Sequence, residues 1–243
     1  MRTNMSNSTI KIPPEKMSRK EKYDYIFSKK ISGGTRFDWI DHALMGDIQT
    51  FEDGIKYNYF PPRQFLPSDS PRGGGNLALP ILVCTSLDLI GALYFGSNNA
   101  TDNVEKFIKE YFPGFYKEFP RIFWDGVRNG ITHKFYPKPF QYKDKTIDFI
   151  FFIEDPNVKS HIKSKGNIVT IWLNSFELVR ILRESIQKYK TDLQKSDPLQ
   201  INFIRIFQSL ENFQTLKNIQ EAEAEKIVKI LTSKNPLYLE DYK

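Results

Sequence analysis

Cysteine is almost absent from this chain. Cys84 is the single cysteine among 243 residues, which excludes an internal disulfide and a cysteine-rich zinc site. Histidine is scarce as well, and neither His42 nor His161 has a carboxylate or histidine neighbour at ligand spacing. We therefore expect neither a metal nor a cofactor. A lone cysteine is typical of a protein that lives in a reducing cytoplasm.

Long uninterrupted hydrophobic runs are also lacking. The most apolar stretch, LALPILVCTSLDLIGALYF, is interrupted by Pro80, Thr85, Ser86 and Asp88. It predicts a buried helix and not a membrane span. The N-terminal stretch MRTNMSNSTIKIPPEK is polar and has no apolar core, so we expect no signal peptide, a cytoplasmic location and no membrane partner.

Positively charged side chains are in modest excess. Thirty-five lysines and arginines against 29 acidic residues give a net charge of +6. That balance mildly favours a polyanionic partner such as nucleic acid, but ordinary enzymes reach the same value. Charge alone therefore identifies no partner.

Hydrophobic periodicity predicts a mainly α fold. Leu77 to Phe95 is apolar on most sides and should form a central helix, and Thr101 should cap the helix DNVEKFIKEYF that follows. A third helix should begin near Pro120 and end at about Phe135, before two prolines. The stretch SFELVRILRESIQKYKTDL is strongly amphipathic, and further helices are expected at both ends of the chain.

Two runs rich in β-branched and aromatic residues predict strands. TIDFIFFIE and NIVTIWLN are joined by DPNVKSHIKSKG, which indicates an antiparallel β-hairpin over about residues 146–173. Further upstream, residues 60–76 hold four prolines and three glycines and should form a long loop. We expect an N-terminal extension over residues 1–72, with helices and this loop, and a helical domain with the hairpin over residues 73–243.

The stretch WDGVRNGITHKFYPK, residues 124–138, gathers the side chains most suited to chemistry. On a helix Asp125, Asn129 and His133 are successive neighbours one turn apart, and Arg128 lies beside them. Arginine offers a planar fork of donors to phosphate oxygens, and histidine exchanges protons near neutral pH. Gly130 is costly inside a helix, which indicates close approach of a backbone or ligand. The combination suits phosphodiester chemistry.

Structural explanations remain open for these residues. Arg128 could pair with Asp125, and His133 could stabilise the C terminus of the helix through its dipole. Asp88, inside an apolar helix, is best explained by a bond to a core arginine or to a helix end.

Two loops offer weaker candidates. The glycines of PRGGGN could cradle a phosphate, with Arg72 contacting an RNA backbone, or could form a flexible turn. His161 lies in a lysine-rich segment that could touch RNA or form a solvated turn.

The segment VRNGITH resembles the signature of the HEPN superfamily (higher eukaryote and prokaryote nucleotide-binding). That signature is an arginine, usually a polar neighbour, and a histidine a few residues later; here Arg128, Asn129 and His133 match it with four residues between arginine and histidine. The following KFYPK and the order of elements are similar to bacterial HEPN-like proteins. The resemblance covers roughly residues 73–192.

The resemblance implies a HEPN-like four-helix bundle, here with an inserted β-hairpin and extra terminal helices, that forms a homodimer. It implies a metal-independent endoribonuclease in which His133 is the general acid or base and Arg128 stabilises charge on the phosphate. In the same reading Asn129 orients His133 or the phosphate. Asp125, Arg72 and Lys134 are the candidate substrate contacts.

The same resemblance implies RNA as the partner and a place in toxin–antitoxin or phage-defence systems, where an antitoxin or regulatory protein would be a further partner. Two alternatives stay open: a catalytically inactive HEPN-like module that binds a nucleotide or a protein, and a helical protein of unrelated function.

Overall fold

A computed structural model describes residues 12–31, 33–59, 75–97, 99–134, 137–153, 155, 157–211 and 225, without the side chains of residues 55–59, 75–76, 132–134 and 211. The chain divides into two compact units, Met1–Phe207 and Gln208–Lys243. The expected domain boundary at residues 72 and 73 lies outside the described residues.

The N-terminal part of the first unit is helical. A 3₁₀ turn, Pro14–Lys16, precedes helix α1, Arg19–Phe27, which begins at a capping box formed by Ser18 and Glu21. The short strands β1, Lys30–Ile31, and β2, Gly34–Thr35, pair antiparallel and lead into helix α2, Arg36–Tyr59.

The central helices follow. They are α3, Gly75–Phe95, and α4, Ala100–Tyr111. Asn99 caps α4, because its Oδ1 accepts from the backbone N–H groups of Thr101 and Asp102 at 3.1 and 3.3 Å. The predicted cap, Thr101, is wrong by two residues. Asparagine in the extended conformation satisfies the exposed N–H groups of the first turn equally well.

Four short helical stretches and two long helices complete the helical structure. They are α5, Gly114–Glu118, then α6, Pro120–Phe123, a π-helical turn, Trp124–Arg128, and α7, Asn129–Lys134, and then α8, Ser175–Leu193, and α9, Asp197–Glu211.

Helix α3 lies at the centre, as predicted, and packs against α2, α4 and α8. Its Leu79, Val83, Leu87 and Ile90 are almost fully buried. Each such side chain stabilises the fold by about 1.5–3 kcal/mol relative to an exposed one.

Among the described residues, α3 is also the one helix that is long and apolar enough to cross a membrane by length and composition. Half of its apolar stretch is buried inside the protein. The mainly helical fold class is confirmed.

A four-stranded sheet stands where a two-stranded hairpin was predicted. The strands are β3, Phe140–Tyr142, β4, Lys145–Phe152, β5, His161–Lys165, and β6, Ile168–Asn174, in the order β3-β4-β6-β5. β4 and β6 pair parallel, so the predicted antiparallel pairing of residues 146–173 is wrong.

The segment that links β4 to β6 explains why the prediction of an antiparallel hairpin is wrong. It contains β5, whose sequence HIKSK has one aliphatic residue and no alternation that would predict a strand. β5 turns back through Gly166, at φ +59°, and pairs antiparallel with β6. β5 therefore lies beyond β6, and β6 returns parallel to β4.

The sheet has two distinct faces, because neighbouring residues of a strand point to opposite sides. The inner face holds the buried side chains Phe149, Phe151, Ile171 and Leu173. We call the opposite side the outer face; by register it carries Asp148, Ile150, Phe152, His161, Lys163, Lys165, Ile168, Thr170 and Trp172.

Candidate functional site

The motif segment, Pro120–Lys134, is one continuous helical stretch whose winding changes in the middle. It starts with proline at its first position, which needs no N–H partner there. At Trp124–Arg128 the turn widens to a π-helix before α-helical winding resumes at Asn129. Such π-bulges are frequent at functional sites, because they redirect side chains within a helix.

Gly126 allows this segment to touch the sheet. An ideal Cβ at Gly126 would lie 2.4 Å from Cε2 of Phe149 and 2.7 Å from Cε2 of Phe140. Any larger residue would collide with both rings. The carbonyl of Gly126 also accepts from the N–H of Lys138 at 2.8 Å, which closes the chain back onto the segment. The sequence argument for close approach named Gly130; the structure shows such a contact at Gly126, which the sequence argument did not single out.

Arg128 points towards α3. Its Nη2 lies 3.6 Å from Oδ2 of Asp88, and its Nη1 donates to Oδ1 of Asn129 at 3.1 Å. Its guanidinium carbon is 5.7 Å from the ring centroid of Trp124. The side chain keeps 32% of its surface exposed, so the guanidinium is held in place and still reachable from solvent.

Asp125 belongs to the other end of the same polar network. Its Oδ2 accepts from Nε of Arg121 at 2.6 Å, and its Oδ1 accepts from Nδ2 of Asn129 at 3.2 Å. Nη1 of Arg121 donates to Oε1 of Glu105 at 2.9 Å. Asn129 thus bridges Arg128 and Asp125, and the direct pairing of Arg128 with Asp125, which the sequence left open as an alternative, is not formed. The structural explanation offered for Asp88, a bond to an arginine, is confirmed.

The side chain of Asp88 is half-buried. Burial raises the pKa of its carboxyl group, and the neighbouring Arg128 opposes that rise without cancelling it. One turn earlier on α3, burial and then the charge of Asp88 raise the pKa of the Cys84 thiol to about 12. Cys84 is therefore an inert core residue and not a nucleophile.

The structure describes only some of the predicted site residues. Asn129 contacts both Arg128 and Asp125, as described. The backbone of His133 and Lys134 belongs to α7, but their side chains lie outside the described residues, as does the whole of Arg72.

Three members of the network were not among the predicted site residues: Asp88, Arg121 and Glu105. The i, i+4 spacing of Arg121 and Asp125 was visible in the sequence and could have indicated their ion pair. The contacts of Arg121 with Glu105 and of Arg128 with Asp88 join residues 16 and 40 positions apart, which no local pattern reveals.

Among the side chains in the described ranges, no three histidine, cysteine, aspartate or glutamate residues converge as metal ligands would. His42 lies in α2 with its ring against Gly46, and His161 lies in β5.

Comparison with protein-family models, with curated proteins and with solved structures finds no match to this chain. Its function must therefore be argued from the site itself.

Proposed function

We propose that this protein is a metal-independent HEPN-type endoribonuclease. The observation that carries the proposal is the polar network around Arg128, five positions before His133 on the same helical segment. Asp88 and Asn129 hold the guanidinium in one orientation while a third of its side chain stays exposed. A fixed, accessible fork of donors is what stabilisation of a phosphate in the transition state requires.

In this mechanism His133 removes the proton from the ribose 2′-hydroxyl. The 2′-oxygen attacks phosphorus, and the bond to the 5′-oxygen breaks as that oxygen takes up a proton from solvent water. His133 then returns its own proton to solvent. Arg128 stabilises the charge that gathers on the phosphate oxygens. The products are a 2′,3′-cyclic phosphate and a free 5′-hydroxyl.

The contacts refine the role of two neighbours. Asn129 both accepts from Arg128 and donates to Asp125, so it sets the position of the guanidinium. Asp125 is engaged by Arg121 and Asn129, and its negative charge would repel phosphate. We assign it to positioning Asn129 and not to binding RNA. Lys134 and Arg72 remain proposed contacts with the RNA backbone.

We propose further that the active form is a homodimer that uses the exposed face of α3 and the adjoining part of α2. Ala78, Ile81, Leu82 and Leu89 are only half-buried on that face. Phe51 is 45% exposed beside them, on a cavity of about 390 Å³ between the two helices. Exposed apolar surface of this kind marks association sites. Asp88 lies on the same side of α3, so a dimer through this face would bring two Arg128 networks near each other.

The dimer is tested by light scattering at micromolar concentration. The wild-type chain should show twice the 28.5 kDa chain mass, and Phe51→Glu should shift it to the monomer. Phe119→Glu is the matched control, because Phe119 is 49% exposed elsewhere and should leave the mass unchanged. A wild-type monomer, or equal masses for both variants, would contradict this interface.

The contact with Asp88 also favours a second candidate function. An arginine already neutralised by a carboxylate can be purely structural, as in a catalytically inactive HEPN-like module that binds a nucleotide or a protein. The two candidates differ in one respect: only the ribonuclease needs His133 and Arg128 for an effect on RNA.

Expression in bacterial cells separates the two. If the chain is a ribonuclease of a toxin–antitoxin or defence system, acting in the cytoplasm and restrained by an antitoxin or regulatory protein, the wild type should slow growth. His133→Ala and Arg128→Ala should each relieve that effect at equal expression, since general acid–base catalysis contributes roughly 100- to 10,000-fold in rate. Lys188→Ala, at an exposed position on α8, should not. Equal toxicity of wild type and His133→Ala would refute catalysis as the cause.

A further inference from the structure

The outer face of the sheet has an unusual composition. A sheet with helices on one side commonly shows polar residues on the other. Here one row across the strands consists of Ile150, Trp172 and His161, which are paired in register. All three are half-buried and not covered in the way the inner face is. A partly exposed row of apolar and aromatic side chains indicates a binding site.

The rings on this face form a cluster. The imidazole of His161 stacks on the indole of Trp172 with centroids 5.9 Å apart and planes within 5°. The ring of Phe152 lies 5.9 Å from His161 and 6.4 Å from Trp172. The three rings hold one another in place, so further stacking on them costs little additional ordering.

The charges beside these rings are mostly positive. Lys163 and Lys165 project from β5 on the same face and are exposed, and Nζ of Lys163 lies 5.4 Å from the Trp172 centroid. Lys159, also exposed, lies two residues before the first residue of the strand. Among the outer-face strand positions that the structure describes, Asp148 is the single carboxylate, and its Oδ1 accepts from the N–H of Phe149 at 2.8 Å.

We propose that the outer face binds single-stranded RNA. Unpaired bases stack on the Trp172, His161 and Phe152 rings, and Lys163 and Lys165 contact the phosphates. The charge favours RNA over a protein partner, because lysines next to aromatic rings complement a chain that alternates phosphates with flat bases. The proposal rests on the proposed function for its view that this RNA is the substrate, and it restricts that substrate to unpaired strands.

Binding is measured by fluorescence anisotropy with a labelled 12-nucleotide 2′-O-methyl RNA, which lacks the attacking hydroxyl and cannot be cleaved. Trp172→Leu should weaken binding about fivefold or more, the range expected for loss of one stacked base. Lys163→Ala with Lys165→Ala should weaken it and lower the slope of log affinity against log salt by roughly 1.4, about 0.7 for each lost phosphate contact.

Matched controls remove the same groups elsewhere. Trp39→Leu deletes an exposed tryptophan on α2, and Lys109→Ala with Lys188→Ala deletes two exposed lysines on α4 and α8. Both should change affinity less than twofold. The same sequence annealed to its complement should bind more weakly than the single strand, since its bases are no longer free to stack.

Several results would overturn the proposal. They are absence of binding by the wild type, equal affinity of the outer-face and control variants, and a duplex that binds as well as the single strand. Should Trp172→Leu fail to fold, the lysine pair decides, because both side chains are exposed.

Failure of the proposed function would look different. A chain that binds through the outer face but leaves unmodified RNA intact refutes the ribonuclease alone. Cleavage of that RNA with no effect of the outer-face variants on binding refutes the outer-face site alone.

Discussion

The motif segment and the outer face of the sheet hold their functional side chains by different means. In the motif segment, hydrogen bonds and ion pairs fix Arg128 and Asn129, and Gly126 seats the backbone on the rings of Phe149 and Phe140. On the outer face, strand register and ring stacking align the side chains with few polar bonds. The first arrangement is preorganised, as catalysis requires, and the second is adaptable, as binding of a flexible strand requires.

The largest difference should appear between two adjacent residues of β4. Phe149 is 1% exposed against Gly126, whereas Ile150 is half-buried on the outer face. Phe149→Ala should lower the free energy of unfolding by about 3–5 kcal/mol because it leaves a cavity under the motif segment. Ile150→Ala should lower it by roughly 1 kcal/mol or less. Urea denaturation followed by circular dichroism gives both values. Equal losses would contradict the difference in burial between the inner and outer faces of the sheet.

A smaller effect should come from Asp88→Asn. Burial raises the pKa of the Asp88 carboxyl in the folded state above its ordinary 3.8. Its contribution to stability is therefore complete below that pH and is lost as the pH rises through the folded-state value. The side chain of the asparagine variant does not titrate. The melting temperature of the variant should therefore rise relative to that of the wild type as the pH increases from about 4 towards neutrality. A third of the Asp88 side chain is exposed, and solvent screening will keep the gain modest.

Melting curves of the two proteins at matched ionic strength provide the measurement. Any constant offset reflects the altered contact with Arg128, whereas the pH-dependent part reports the carboxyl. Parallel melting temperatures across the range, or a gap that closes as the pH rises, would contradict the partial burial of the Asp88 carboxyl as the cause of its raised pKa.

The helices could be predicted because their apolar residues repeat at helical spacing, as in α8, or form an apolar run too long for a strand, as in α3. Strands β4 and β6 could be predicted from their β-branched and aromatic residues, but their pairing could not, since β5 reads HIKSK and carries no strand pattern. Parallel pairing of β4 and β6 follows from that hidden strand. Arg128 was identifiable from its spacing to His133, whereas its partner Asp88 lies 40 residues earlier and is brought near only by the packing of α3.

The π-helical turn could not be predicted from the sequence either. The sequence predicted regular α-helical winding through residues 120–135, and the turn widens where Gly126 meets two phenylalanine rings. That contact depends on the sheet, which local periodicity did not describe.

The proposed chemistry is tested most directly by the products of RNA cleavage. Purified wild-type protein should cleave single-stranded RNA in excess EDTA and leave 2′,3′-cyclic phosphate and 5′-hydroxyl ends, because His133 and Arg128 supply what a metal would otherwise supply. A single 2′-deoxy nucleotide at the cut site should abolish cleavage. Arg128→Lys, which keeps the charge but loses the fork, should slow cleavage by roughly 100-fold. Cleavage of single-stranded DNA, or activity lost in EDTA and restored by magnesium, would contradict the account.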